Sequence, residues 1–119
     1  MRMLWLTPIL FLSFSTAAYS DAGIEEYCFE ASQLSRHVMT SRQLGDPIEN
    51  ALAVRDRAFE KSKDESSRKV HTEIILEAYS SPAYSTESFI QSEIDEFTAK
   101  NYIACIQAMR LAKKHGKLK

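Results

Sequence analysis

The side chains best equipped for chemistry in this 119-residue chain are two cysteines, Cys28 in E-Y-C-F-E-A and Cys105 in N-Y-I-A-C-I-Q-A, and three histidines, His37, His71 and His115. Nothing resembles the C-x-x-C of a redox motif, and no histidine stands at ligand spacing from either thiol, so neither redox catalysis nor metal binding is expected of them. In an oxidising compartment such a pair forms a structural disulfide. Closing a loop of this size adds about 4.5 kcal/mol in the chain-entropy model, comparable with the whole net stability of a small domain. Glu73, Glu77, Glu93, Asp95 and Glu96 could be paired on paper as acids and bases. They fall mainly on predicted solvated faces, where such charge is ordinary. The chain has no H-E-x-x-H, no glycine-rich phosphate loop and no G-x-S-x-G. No enzyme is expected, and no cofactor or metal is implied.

The N-terminus points to an oxidising compartment. Arg2 supplies a positive start, Leu4 to Phe14 is apolar but for Thr7, Pro8 and Ser13, and Ala18-Tyr19-Ser20 places small residues before Asp21. That is the pattern of a secretory signal peptide over residues 1–20, and its apolar run is shorter than the roughly 20 residues a spanning helix needs. The expected mature chain, 21–119, is one exported helical domain, periplasmic or secreted, without stable membrane insertion. Three glycines and three prolines in the whole chain are few for a strand-rich fold.

Charge is unevenly distributed. Arg110, Lys113, Lys114, Lys117 and Lys119 form a basic tail, whereas residues 21–109 hold nine basic and sixteen acidic groups, a formal −7. Cations at a helix C-terminus complement its dipole, and this is the reading adopted for the tail. Nucleic acid is not an expected partner of an exported acidic body.

Helical periodicity organises the rest. In a first segment, about Ile24–Gln43, Ile24, Tyr27, Cys28, Ala31, Leu34, Ser35 and Val38 form one stripe that aims Cys28 inward and leaves Phe29 among charges. Leu44-Gly45 ends it, and Asp46-Pro47-Ile48-Glu49 reads as the N-cap and first turn of a second helix, Pro47 to about Ser62. Ile48, Ala51, Leu52, Ala58 and Phe59 are its expected buried residues. Arg55 falls within that stripe, where it must anchor a ligand acid or pair with a carboxylate of another helix. Lys61–Ser67 reads as a loop, and a third helix over about Arg68–Tyr79 is capped by Ser66 or Ser67. Val70, Ile74, Ile75 and Ala78 share its inner side, with His71 at the margin as a core-edge group or pH sensor.

Pro82 breaks that helix, and a fourth, capped by Ser81 or Ser85, is expected over about Thr86–Lys113. Its stripe is Ile90, Ile94, Phe97, Ala104, Cys105, Ala108 and Ala112, with Asn101 in the middle. Tyr102, Ile103, Ile106 and Met109 lie off the stripe, making the second half apolar almost all the way round. Such a helix belongs at the centre of a bundle or against another chain, a second copy in a homodimer included.

The expected fold is therefore all-α: a four-helix, bundle-like single domain stapled between first and last helix by Cys28–Cys105. A signal peptide, an early and a late cysteine, the Gly45 corner and the segment Ala78-Tyr79…Pro82 together resemble a diffuse group of small exported proteobacterial and phage-associated two-cysteine helical proteins. Helical periplasmic immunity proteins, secretin pilotins and two-cysteine acid-stress chaperones share the general plan. The chain departs from the pilotins in having no lipidation cysteine, and from the chaperones in its length and wider cysteine spacing. The resemblance carries no site residue across. The expected function is non-enzymatic binding of another protein, as inhibitor, immunity factor or adaptor, with Phe29, Tyr102, Ile103, Ile106 and Met109 as candidate contacts. The alternatives are an acid-stress chaperone, for which His71 and the many carboxylates speak, and a small enzyme, for which no residue can be named.

Overall fold

A computed structural model describes residues 20–116, and these form four helices: α1 (Asp21–Gln43), α2 (Ile48–Ser62), α3 (Glu65–Ser80) and α4 (Glu87–Lys114). Strands are absent among the described residues. The signal-peptide reading covers residues 1–20, of which 1–19, like Lys117 and Lys119 of the tail, lie outside the described residues; Ser20 caps α1 by accepting a hydrogen bond from the Gly23 N–H at 3.0 Å.

α1 is the helix on which the others pack. α4 runs along it antiparallel, α3 covers another side, and α2 packs mainly on α3. The antiparallel register is fixed by three pairs that step in opposite directions along the two helices: Cys28–Cys105, Arg36–Asp95 at 2.8 Å and Asp21–Lys113 at 3.5 Å. The disulfide forms as expected, with Cα atoms 5.6 Å apart, and joins the first helix to the last. The expectation of a central fourth helix is corrected. α4 has one close neighbour along its second half, so Ala104 and Ala108 of its stripe are exposed.

The main core sits towards the Gln43 end of α1. Val38 and Met39, Ile74, Ile75 and Ala78, and Ile94 and Phe97 are buried together, with Leu34, Ile48, Leu52 and Ile90 packed against them. Each of these side chains larger than alanine contributes about 1.5–3 kcal/mol when fully buried. α2 has no buried residue; Ala58 is exposed, and Val70 of α3 is 46% exposed, both against expectation. One reason is that α2 lies at the outside of the packing order and leans mainly on α3.

Three local expectations change at the helix ends. The cap position of α2 is Pro47 rather than Asp46, because the chain leaves α1 through a turn one residue longer. In that turn Gly45 donates to Arg42 O at 3.1 Å and Asp46 to Ser41 O at 3.0 Å, the double bond of a Schellman ending, with Gly45 at φ +87°. The loop expected over Lys61–Ser67 shrinks to Lys63 and Asp64. Asp64, not Ser66 or Ser67, is the cap: its carboxylate accepts from both of their N–H groups, at 3.0 and 3.3 Å, and draws them into the first turn of α3. Ahead of α4, Thr86 rather than Ser81 or Ser85 takes the cap position, and it makes no side-chain capping bond.

The α3–α4 connection is held by the end of α1. Gln43, buried, donates to Pro82 O and accepts from the Tyr84 N–H, both at 2.9 Å, while Arg42 donates to Ser81 O at 3.0 Å.

Two stability measurements test this arrangement. The double substitution Cys28→Ser, Cys105→Ser lowers unfolding free energy by about 4 kcal/mol in urea titration, and the unsubstituted protein shows no free thiol. Gly45→Ala, which puts a Cβ at positive φ, costs about 1 kcal/mol by the same measurement.

Candidate functional site

Because α3 and α4 both pack on α1 but not closely on each other, a groove opens between α3 and the second half of α4, with α1 as its floor. Its volume is about 580 Å³. α1 contributes Tyr27, Ala31 and Ser35, four residues apart and hence on one side of the helix. α4 contributes Asn101, Ala104, Cys105 and Ala108, with Met109 at the end, so the half-buried Cys105 side of the disulfide lies in the groove wall. α3 supplies Val70 and Ile74 and, on the rim, Glu73 and Glu77. The Ser35 hydroxyl donates to Ala31 O at 3.4 Å and the Asn101 amide to Phe97 O at 2.9 Å, so two of the polar groups in the lining already have backbone partners. Apart from these and the two glutamates, the lining is mainly apolar. Three of the side chains at the bottom and on the α4 wall are alanines, which allow another backbone to approach closely.

The rim carries charge. Lys100 spans from α4 to Glu77 at 2.8 Å, whereas Glu73 makes no ion pair with a described residue. Of the residues proposed from sequence as partner contacts, Met109 lines the groove and the others do not. Phe29 (57% exposed) and Tyr102 and Ile106 (half-buried) lie on the side of the α1–α4 pair marked by the Arg36–Asp95 ion pair, and Ile103 (54% exposed) points further out. The groove itself escapes sequence reasoning because Ala104 and Ala108 share the phase of core residues. A signal is present in the repeat Ala104, Ala108, Ala112, since small residues every fourth position also mark a surface prepared for close approach.

Arg55 is not an open cation. With its side chain only 13% exposed, it donates through Nε and Nη2 to Asp56 Oδ1, at 3.1 and 2.8 Å, and through Nη1 to Thr72 Oγ1 at 3.0 Å. The carboxylate thus comes from its own helix, not from another as expected; α3 supplies Thr72 and, at 3.6 Å from Asp56, Arg68. His71 is buried beside this group and lines a second, smaller cavity of about 180 Å³ together with His37, Val38 and Asp46. Burial, then the Arg55 charge, holds His71 below its ordinary value of 6.5. Asp95 is held below the usual carboxylate range by the hydrogen bonds from Arg36 and Gln91, Asp56 by that from Arg55, and Asp64 by those from Ser67. No group of three or more His, Cys, Asp or Glu able to hold a metal occurs among the described residues.

The chain matches no protein-family model, no curated protein and no solved structure.

The shifted groups set a direction for acid. A histidine with a depressed folded value binds its proton more readily when unfolded, so stability falls as pH drops below about 6.5 and until the folded value is passed. Asp56, Asp64 and Asp95 add stability above their ordinary value of 3.8 and lose it as pH falls through their lower folded values. Urea midpoints measured from pH 7.5 to pH 5 therefore decline, and His71→Gln flattens that decline while leaving the loss below about pH 4 in place.

Proposed function

We propose that this chain is an exported, non-enzymatic protein-binding module, an inhibitor, immunity factor or adaptor, which receives a segment of its partner in the groove between α1, α3 and α4. The observation that carries this reading is the groove: a mainly apolar concavity of about 580 Å³ with small residues on its floor and α4 wall. Its volume is that of a specific recognition site. Two of its three sides are helices stapled together by Cys28–Cys105, so it is preformed and loses little order on binding. A disulfide of this kind suits an oxidising compartment, and none of the described helices is long and apolar enough to cross a membrane. A second reading, an acid-responsive chaperone, is supported by buried His71 beside Arg55; dye binding and circular dichroism unchanged at pH 2–3 would remove it.

The immobilised protein is expected to retain one stoichiometric partner from periplasmic extract of its own host. Ala108→Trp fills the groove at an exposed position and abolishes that retention with the helical circular dichroism unchanged. Phe29→Ser, on the Arg36–Asp95 side, preserves it. The reverse pattern moves the binding surface to Phe29, Tyr102, Ile103 and Ile106 and overturns the groove.

A further inference from the structure

Building on the proposed reading of the groove as a partner site, we infer that its occupant is an amphipathic helix with lysine or arginine flanking its apolar stripe. The shape argument comes first. Ala104 and Ala108 are one turn apart on α4 and exposed, over a floor of half-buried Ala31 and buried Ser35, one turn apart on α1. A row of small exposed side chains at helical spacing above a small-residue floor admits the ridge of a third helix, and leaves little for an extended strand, which would need unpaired backbone groups that these helices do not offer. The lips are apolar where the row and the floor end: Tyr27, Val70 and Leu111 are all exposed. A helix laid between α3 and α4 would complete the third layer that the second half of α4 lacks.

The charge argument fixes the flanks. Glu73 and Glu77 stand one turn apart along α3 and are the charged residues of the groove lining. Lys100 is the cation of this rim, and it is taken by Glu77. Two carboxylates, one of them paired with Lys100, leave the groove lining net acidic, on a body that is −7 over residues 21–109. An acidic helix would be repelled. A basic one is steered in and gains exposed ion pairs at the rim.

The experiment uses the full exported chain with its disulfide intact and two designed amphipathic helices of about 18 residues, one of leucine and lysine, the other of leucine and glutamate. In fluorescence anisotropy the Leu/Lys helix binds at least about tenfold tighter than the Leu/Glu helix. Glu73→Gln weakens it by about two- to fivefold, as loss of an exposed ion pair does, and raised salt lessens that difference. Ala108→Trp abolishes binding and Phe29→Ser leaves it unchanged. Equal binding of both helices, or binding indifferent to Ala108→Trp, overturns the inference. So does a dimer by sedimentation equilibrium that Ala108→Trp dissociates, since the occupant is then a second copy. If neither helix binds while Ala108→Trp still abolishes capture of the periplasmic partner, the inference fails and the partner-binding reading stands; if that capture is indifferent to Ala108→Trp, the reading itself fails.

Discussion

The antiparallel pairing of α1 with α4 is the contact on which the rest of the molecule depends. It is the longest packing surface in the fold, and it is secured differently at its two ends. Towards Gln43 it is part of a three-sided core, with Ile74, Ile75 and Ala78 of α3 packed against Val38, Met39, Ile94 and Phe97. Towards Asp21 it is a layer of two helices, where Ile24 is buried but lies outside the main core cluster. Two helices alone bury one stripe each and leave their flanks exposed, so packing by itself would hold this end weakly. Cys28–Cys105 lies here, and the covalent bond replaces the third layer that is missing. The exposed flank is the groove. Stability and recognition surface therefore arise from one arrangement: because the bond holds the pair, α3 need not cover it.

The polar groups divide along the same line. Ion pairs cluster around the outside, where Arg36–Asp95, Lys100–Glu77 and Asp21–Lys113 set the register of α4 and its distance from α3. Exposed pairs contribute little each, and their value here is positional. The buried polar residues Ser32, Ser35 and Thr98 turn back onto carbonyls of their own helices, so they ask nothing of a neighbour. Gln43 is the exception, directing its amide to Pro82 and Tyr84 and thereby fixing where α4 starts. His71 and Arg55 form a titratable element near the core; His71 lines the cavity between α1, α2 and α3, and does not line the groove.

Much of the fold is legible where one physical rule dominates. The two cysteines fall independently on inward helical phases, and their bond follows from those phases together with a chain that has only that pair. Gly45 marks the end of α1 because positive φ there is easy for glycine and strained for other residues. The rules fail where two of them compete. K-S-K-D-E-S-S is polar throughout, and polarity suits both a loop and the exposed start of a helix; Asp64 decides the matter by capping Ser66 and Ser67 into α3. Arg55 does need a partner, as its place in an apolar stripe implies, but its neighbour Asp56 is nearer than any acid on another helix.

The sequence by itself determined the class of fold, the staple and the positions of the main helical stripes, because periodicity, scarcity of glycine and a single cysteine pair are properties of the chain that need no neighbour to express. Only the tertiary structure decided which apolar positions are core and which are surface. Ala104 and Ala108 share a stripe with Ile94 and Phe97, and nothing local distinguishes them. They are exposed because α3 packs on α1 and stands across a groove from them, and the path of one helix over another is set by packing across the whole domain. The same path placed Glu73 and Glu77 opposite those alanines, and so turned a stripe with the phase of a core into a groove with an acidic rim.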